Sequence, residues 1–463
     1  MPTPTAVAFK AKPSQPPPPA TTGVAGWLRE NLFYSVWSTL LTVIGVYIIW
    51  SVFSILWDWG VTHAVWEAAT RRECLDAPLL GSDGKVLLDA EGVERKTGEH
   101  GACWAGVRVW FQGFMYGRYP VDERWRVNLA GITLVLWLLP LWLPNIKSKG
   151  SIGMSAVLIY PFLAAYLFAG GEVGMFWRFM VILAVALFVM NWVHVILNLT
   201  SRRSLQEVLV HMTGFRDKHE STHKYQWLGA LVVLLVACYV VLDGWEPVAI
   251  GTNQWGGLFL TIVIAGCAIV FALPGGIVLA LARRSNMQFI KVCAILFIEL
   301  FRSVPLITVL FMAVTMFPLF LPEGTTLDKL VQAIVGVCLF AAAYMAETVR
   351  GGLQAIPKGQ YEAAQAMGLT YWKMMNLVIL PQALKLMIPN IVGSFISQFK
   401  DTTLVSIIGL YDMLRMLNTP GQNPQWQGMH KETLFFGAVV FFVFCFAMSR
   451  YSQALERKLN TDH

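Results

Sequence analysis

The sequence is poor in charge. Charged residues make up 14% of its 463 residues and hydrophobic residues 56%, whereas soluble domains carry about a quarter charged residues. A chain so depleted in charge must find apolar surroundings, which excludes an ordinary soluble protein. Several apolar runs reach the roughly 20 residues that a helix needs to cross a bilayer, whereas a membrane β-barrel would show short alternating segments. We therefore predict an all-α polytopic membrane protein.

Signatures of nucleotide binding and catalysis are also missing. No Gly-x-x-x-x-Gly-Lys-Ser/Thr motif occurs, so the chain has no P-loop with which to bind ATP. Neither a nucleophile elbow nor a four-cysteine metal pattern is present. We expect no catalytic residue, no metal ligand and no bound cofactor in this chain.

Positive charge is in excess but is divided among several short loops. The net charge is +7 and the pI about 9.0, yet the basic residues cluster in short loops between apolar runs, as the positive-inside rule predicts. No Lys/Arg block is long enough for a nucleic-acid patch. We expect membrane lipid, and no nucleic acid, around this chain.

The apolar runs predict about ten crossings. Those of the N-terminal half are residues 35–57, 127–143, 152–169, 175–197 and 227–242. Those of the C-terminal half are residues 258–281, 289–321 with a break at Pro305, 330–349, 387–410 and 434–448. With the N-terminus inside, every basic loop is cytoplasmic, so both termini are predicted to be cytoplasmic.

This pattern predicts three parts of the chain. Residues 1–34 form a flexible Pro-rich cytoplasmic tail, residues 35–245 a five-helix region with a periplasmic loop at 58–126, and residues 246–463 a five-helix core with a cytoplasmic loop at 357–382. Cys74 and Cys103 share the outer polar loop. Because that compartment is oxidising, we predict a disulfide between them.

The cytoplasmic loop of the core carries a distinctive pattern. Pro357 ends the preceding helix, Glu362 is expected in the first turn of a new short helix, Gly368 stops that helix, and Pro381 is expected to break the chain before the next crossing. The small residues offer a rigid surface to a partner. The predicted coupling residues are Tyr361, Glu362, Ala363, Ala364, Ala366, Gly368 and Pro381.

On these residues the chain resembles the permease subunits of binding-protein-dependent ABC importers of the polar amino-acid (histidine/glutamine/glutamate) family. The resemblance covers residues 257–458 and rests on segments 257–261, 299–306, 344–352, 359–364 and 400–404. The family usually has Arg-Gly-Thr-Pro where this chain has Arg302-Ser303-Val304-Pro305. It has Lys-Asp-Thr-Ser-Leu at Lys400 to Leu404, where Thr403 here replaces serine. Segments 101–104 and 116–126 resemble the long permease subunit of general L-amino-acid transporters.

The resemblance implies an importer type I permease in a bacterial inner membrane. Such a permease couples a cytoplasmic ATPase to alternating access. The implied partners are a cytoplasmic ABC ATPase dimer that binds ATP and Mg²⁺, a second homologous permease subunit and a periplasmic amino-acid-binding protein. The loop 357–382 would then couple the ATPase to this chain.

Charged residues at membrane depth are costly and often functional. Glu299 with Arg302, and Glu347 with Arg350, stand three residues apart, so each pair can neutralise itself on one helix face. Alternatively, Glu347 beside Tyr344 receives a substrate ammonium group, while Arg302 or Lys400 faces the substrate carboxylate. The candidate substrate path comprises Glu299, Arg302, Tyr344, Glu347, Lys400 and Asp401.

Two other functions stay open at this point. His219, Glu220 and His223 match the HExxH pattern of zinc proteases, although the surrounding loop is polar and no further ligand is evident. A permease-like scaffold or regulatory subunit would bind the ATPase without moving substrate. Neither the amino acids carried nor the role of the N-terminal helices follows from the sequence.

Overall fold

The computed structural model describes residues 23–79, 86–88, 94–96, 98, 101–142, 149–172, 174–199, 229, 231–240, 247–322 and 327–459. Their helices are α1 (Gly23–Asn31), α2 (Val36–Trp57), α3 (Arg71–Asp76), α4 (Trp104–Tyr116), α5 (Arg124–Trp142), α6 (Lys149–Leu158), α7 (Tyr160–Ala169), α8 (Met175–Leu199), α9 (Leu231–Val240), α10 (Gly257–Arg283), α11 (Gln288–Ser303), α12 (Leu306–Phe311), α13 (Lys329–Ala355), α14 (Lys358–Ala366), α15 (Tyr371–Met374), α16 (Leu380–Asp401), α17 (Met413–Asn418) and α18 (Lys431–Leu459). A two-residue strand, β1, covers Tyr411–Asp412.

Every predicted crossing coincides with a helical segment. Among the described residues, seven segments are long and apolar enough to cross a membrane, and α11 together with Leu306–Phe320 makes an eighth that bends by 108°. The bend falls at Pro305, where the sequence predicts a break, because proline lacks the N–H that a continuous helix requires. The other two predicted crossings correspond to α5 and to the short α9.

The chain divides into two compact units, Met1–Gly106 and Val107–His463. In the first unit, α2 begins after Ser35, whose hydroxyl accepts from the Ser38 backbone N–H at 3.1 Å. None of the residues of α2 is buried within the chain. Its 22 residues extend about 33 Å, enough to cross the hydrocarbon layer, and an apolar surface on all sides suits a lipid environment.

The outer polar loop of the first unit is held by a disulfide. Cys74 lies in α3 and Cys103 directly before α4, with their Cα atoms 5.8 Å apart and their sulfurs bonded. Both cysteines are buried. Nearby, the Trp104 indole donates to the Gly60 carbonyl at 2.7 Å and the Val65 N–H donates to the Ala102 carbonyl at 2.8 Å. The bond therefore fastens α3 to the segment that enters α4.

Replacing Cys74 and Cys103 with serine is expected to loosen this loop by about 2–4 kcal/mol, the usual loss for a native disulfide. Limited proteolysis of the detergent-solubilised protein measures the effect, and mass spectrometry of unreduced peptides checks the bond itself. The exposed free cysteine Cys293 offers a control, since Cys293→Ser removes a thiol but no bond. Equal protease resistance of the double variant and the control would contradict the prediction.

Within the second unit, residues 107–463, the hydrophobic interior forms two clusters. One joins α5 to α8 around the buried Trp137, whose indole donates to the Ser155 hydroxyl at 3.1 Å. The other joins α10, α12, α13, α16 and their connections. The predicted domain division at residues 245 and 246 lies inside this unit and stays a prediction, although the two clusters lie largely on opposite sides of it.

Close packing of α10 on α13 organises the second cluster. A Cβ on Gly276 would lie 2.6 Å from Cγ of Met345, so only glycine permits this approach. Ala341, Ala342 and Ala346 on α13 are also buried. Small residues let membrane helices come close enough for van der Waals attraction, which replaces the hydrophobic effect inside a bilayer.

A buried arginine joins three segments of the second unit. The side chain of Arg126 is 0% exposed and donates to the Leu167 carbonyl at 2.7 Å and the Val248 carbonyl at 2.8 Å. Glu123 accepts from the same guanidinium at 3.3 Å. Since an unpaired buried charge is very costly, these partners hold the ends of α5 and α7 against the segment that leads to α10.

Candidate functional site

The predicted coupling segment is a short helix with a defined end. In α14 the N–H of Leu369 donates to the Ala364 carbonyl at 3.2 Å, and the N–H of Gly368 donates to the Gln365 carbonyl at 2.9 Å. Gly368 adopts a φ of +72°. These two bonds and the left-handed residue form a Schellman motif, which glycine favours because it has no Cβ.

The start of α14 differs from the prediction. The helix begins at Lys358 with Pro357 as its N-cap residue, so Glu362 lies in the second turn and the first turn contains no acidic residue. The prediction that Glu362 occupies the first turn is wrong. Pro357 ends the preceding helix as expected, but its fixed φ also starts the next helix at once.

Only part of the predicted alanine surface faces outward. Glu362, Ala363 and Ala366 are exposed, whereas Ala364 is 4% exposed and belongs to the hydrophobic cluster of α10 and α13. Ala364 therefore cannot contribute to a surface that a partner touches. The reason is the helical period, which turns position 364 toward the chain when its neighbours face away.

Tyr361 fastens α14 to the two membrane helices behind it. Its hydroxyl donates to the Leu353 carbonyl in the last turns of α13 at 3.0 Å and accepts from Nη1 of Arg284 at 3.0 Å. The Arg284 guanidinium also lies over the tyrosine ring, 5.4 Å from its centroid. Tyr361 therefore connects α14 to the ends of both α10 and α13.

Pro381 does not break the chain before the next crossing, contrary to the prediction. Tyr371–Ser406 is one helical span of 36 residues that includes Pro381. A π-helical turn, Met375–Ile379, directly precedes α16. The wider turn removes the need for an N–H at the proline and relieves the clash of its ring with the preceding turn. The span therefore begins at Tyr371 rather than near Met387.

Five charged residues meet near the same end of α10 and α13. Oε1 of Glu347 accepts from Nη1 of Arg283 at 2.7 Å. Oε2 of Glu347 accepts from Nε and Nη2 of Arg350 at 2.9 and 2.7 Å and lies 3.6 Å from Nη1 of Arg302. Glu299 lies 3.2 Å from Arg283. We call these five residues the inner ion cluster; it connects α10, α11 and α13.

The inner ion cluster contains one of the two ion pairs that the sequence suggests and has a different partner in place of the other. Glu347 pairs with Arg350 on one helix face as expected, but Glu299 pairs with Arg283 of α10 rather than with Arg302. Arg302 instead lies near Glu347 and over the Tyr344 ring, 5.7 Å from its centroid. The two glutamates face three arginines, which leaves one positive charge in excess.

The remaining candidates of the substrate path lie elsewhere. Lys400 and Asp401 end α16, at the end of its span away from the coupling helix α14. Glu347, by contrast, lies two turns before the end of α13 that adjoins α14. The structure thus brings together Glu299, Arg302, Tyr344 and Glu347, but separates Lys400 and Asp401 from them.

Sequence reasoning missed Arg283 and Arg284. The positive-inside rule accounts for both as residues of a basic loop, whereas in the structure Arg283 bridges two glutamates and Arg284 contacts Tyr361. Their signal was available, since consecutive arginines end an apolar run and acidic residues occur inside the two following runs. The partners themselves depend on how the helices pack.

The HExxH match, His219 to His223, lies outside the described residues. Among the residues that the structure describes, no group of three or more His, Cys, Asp or Glu side chains could hold a metal ion.

Comparisons with known proteins agree on one kind of relative. Residues 272–461 match the family described as "Binding-protein-dependent transport system inner membrane component". The chain is 38% identical over 451 residues to the inner membrane amino-acid ABC transporter permease protein YhdY of Escherichia coli (strain K12), covering 97% of each chain. It is 39% identical over 452 residues to the glutamate/glutamine/aspartate/asparagine transport system permease protein BztC of Rhodobacter capsulatus, covering 97% of this chain and 96% of that protein.

A shorter relative matches the C-terminal part in length. The glutamate/aspartate import permease protein GltK of Escherichia coli O157:H7 is 35% identical over 207 residues, which are 44% of this chain and 91% of that protein. The two long relatives therefore share the N-terminal region with this chain, whereas the match to GltK covers less than half of this chain.

Proposed function

Because the chain belongs to the family of amino-acid permeases of binding-protein-dependent ABC importers, we propose that it forms one half of a heteromeric pathway that imports polar L-amino acids. Membership makes the chain a multi-pass inner-membrane protein and a transport subunit rather than an enzyme. ATP hydrolysis takes place on a separate ATPase, and a substrate-binding protein serves such importers. The protease alternative has no support from these relatives.

The observation that carries the proposal is the attachment of α14. An exposed face with Glu362 and Ala363 is available to the ATPase, while Tyr361 holds the opposite side to α10 and α13. A short, well-capped helix transmits displacement as a rigid body. ATP and Mg²⁺ would bind the partner and close it, and α14 would move with the closing ATPase.

The inner ion cluster extends this route. It joins α10, α11 and α13 close to α14, so the ends of three helices respond together when α14 moves. Such a connection suits alternating access, in which helices change position as packed groups. We assign the cluster to this connection.

The charge of the inner ion cluster and the substrates in the names of the two long relatives both support the substrate class. One positive charge in excess at the inner ion cluster favours solutes that carry carboxylates. Arg302 keeps its proposed role toward a substrate carboxylate. Glu347 is a poor receptor for an ammonium group, since both its oxygens accept from guanidinium groups that the ammonium would have to displace.

Co-purification from native membranes in mild detergent tests the assembly. Mass spectrometry should recover a P-loop ATPase and a second permease with this chain, and uptake of labelled amino acids by the reconstituted complex should require ATP and the binding protein. Recovery of the chain alone would overturn the proposal. Recovery of the ATPase with no uptake of any amino acid would favour the scaffold alternative instead.

The same proposal places both termini in the cytoplasm, on the side of α14. Its support is the even number of predicted crossings and the basic loops that collect on one side. Protease added to intact spheroplasts should leave a C-terminal tag uncut. Rapid removal of the tag would refute this orientation.

A further inference from the structure

Two guanidinium groups lie against one aromatic ring in the second unit, and a lysine lies near one of them. The guanidinium carbon of Arg118 lies 3.5 Å from the centroid of the Tyr411 ring, and that of Arg415 lies 4.5 Å from it. A Cβ on Gly409 would lie 3.8 Å from Nζ of Lys329 and 3.9 Å from Nη1 of Arg415. We call Arg118, Lys329, Arg415 and Tyr411 the outer cationic patch.

The backbone positions this patch through a close approach of three segments. Gly117 pairs with Trp255, and Gly256 pairs with Tyr411 of β1. A Cβ on Gly256 would lie 2.7 Å from the Tyr411 carbonyl oxygen and 2.9 Å from Cα of Gly117, so glycine is required here. Arg118 directly follows one of these segments and therefore reaches the Tyr411 ring.

The patch lies at the end of α10 away from the coupling helix. β1 pairs with Gly256 and Gly257 at the start of α10, whereas Arg284, just past its other end, contacts Tyr361 of α14. The 27 residues of α10 extend about 40 Å, more than the hydrocarbon thickness of a bilayer. The patch thus faces the compartment opposite to the ATPase.

The positive charge of the patch is poorly compensated. In the described part of the chain, none of its three cations forms an ion pair with a carboxylate; Arg415 donates to the Ser406 carbonyl at 2.9 Å. Asp328 and Asp412, which adjoin Lys329 and Tyr411 in the sequence, accept from backbone N–H groups at the starts of α13 and α17. Burial raises the pKa of Asp412 to about 7, while these N–H groups and the Arg415 charge act in the opposite direction.

The patch brings like charges close together and places one of them at the start of a helix. Like charges repel one another, and Lys329 is the first residue of α13, where the helix dipole disfavours a cation. Arg118 and Lys329 are exposed and remain available to a partner. Unfavourable local electrostatics of this kind are expected at functional surfaces.

We propose that the outer cationic patch receives an acidic surface of the substrate-binding protein, an inference that rests on the proposed function. Charges at an exposed rim steer encounter and set orientation more than they add affinity, which suits a partner that must dock and leave in every cycle. A free amino acid would need a concave site that encloses it. The patch is instead spread over three chain segments.

The test uses the full complex in nanodiscs of neutral phosphatidylcholine, with its co-purified binding protein loaded with substrate. We expect Arg118→Gln combined with Lys329→Gln to raise the half-saturating concentration of binding protein for ATPase stimulation about tenfold at low salt. The shift should be smaller at high salt, because dissolved ions weaken the attraction between exposed charges. The screening length is about 10 Å at about 0.1 M salt and shorter at higher salt. Arg450→Gln combined with Arg457→Gln removes the same two charges from exposed positions toward the opposite end of α18 and should cause no shift.

The possible outcomes distinguish failure of the proposed function from failure of the docking inference. Failure of any binding protein to stimulate the wild-type complex would overturn the proposed function. Normal stimulation of the wild type with an unchanged half-saturating concentration in the double variant would overturn only the docking inference. A shift that appears only when anionic lipid is added would assign the patch to lipid headgroups and would also overturn it.

Discussion

Replacing Gly368 with tryptophan is expected to abolish amino-acid uptake while leaving membrane insertion intact. Gly368 ends α14 with a φ of +72°, which costs a residue with a side chain about 1–2 kcal/mol. No atom of the described chain lies within 4 Å of the position that a Cβ would occupy, so the new side chain begins in open space. It would project from the end of the helix that the ATPase is proposed to contact.

Two glycines, Gly359 near the start of α14 and Gly368 just past its end, allow the effect of backbone strain to be separated from the effect of side-chain size. Gly359 also has open space around its Cβ position, but its φ lies in the ordinary helical range. Gly359→Ala should therefore be tolerated, since alanine favours a helix by about 1 kcal/mol over glycine. Gly368→Ala should lower uptake partly, and Gly368→Trp at least about tenfold, a loss that corresponds to about 1.4 kcal/mol or more.

The measurements are ATP-dependent uptake in proteoliposomes and the amount of chain recovered from the membrane fraction. Uptake by Gly368→Trp equal to the wild type would show that α14 does not couple the ATPase to transport. Loss of the variant from the membrane fraction would show instead that the substitution prevents insertion, and the prediction would be wrong for that reason.

Features set by local chemistry could be predicted from the sequence. The bend at Pro305 follows from the missing N–H of proline, and the end of α14 at Gly368 follows from the left-handed conformation that glycine permits. Every membrane span found in the described residues overlaps an apolar run, because bilayer thickness sets the length of such runs, although the span from Tyr371 begins earlier than its run. Each of these inferences needs only the residue and its neighbours in sequence.

Features set by packing could not be predicted. Glu299 pairs with Arg283 rather than with Arg302, because the orientation of α11 against α10 decides which guanidinium is near. Pro381 continues a helix since a π-helical turn before it accommodates the ring. Ala364 is buried because α14 lies against α13. Such partners lie far apart in sequence, so periodicity and spacing do not identify them.

Glu347→Gln is expected to destabilise the complex and to lower uptake of every substrate. The carboxylate is 15% exposed and faces Arg283, Arg302 and Arg350, so its loss leaves three arginines with Glu299 alone. Removing one partner of a buried pair costs about 3–5 kcal/mol. Because the arginines here are partly exposed, we expect about 2–3 kcal/mol after allowance for solvent screening.

Glu299→Gln is the matched control, because it makes the same chemical change in the same cluster. Its carboxylate is 55% exposed and, among the described residues, forms an ion pair with Arg283 alone, at 3.2 Å. Exposed pairs of this kind contribute about 0–1 kcal/mol. The thermal unfolding temperature of the detergent-solubilised complex should therefore fall much further for Glu347→Gln than for Glu299→Gln.

The combination Glu347→Gln with Arg350→Gln distinguishes a structural connection from a substrate contact. If Glu347 balances the arginines, removing Arg350 as well should restore part of the lost stability, since the two residues share two hydrogen bonds and their effects are not additive. If Glu347 instead received a substrate ammonium group, the single variant would raise the KM for uptake with its unfolding temperature unchanged, and the second substitution would rescue nothing. That pattern would return Glu347 to the substrate path and remove it from the connection between α10, α11 and α13.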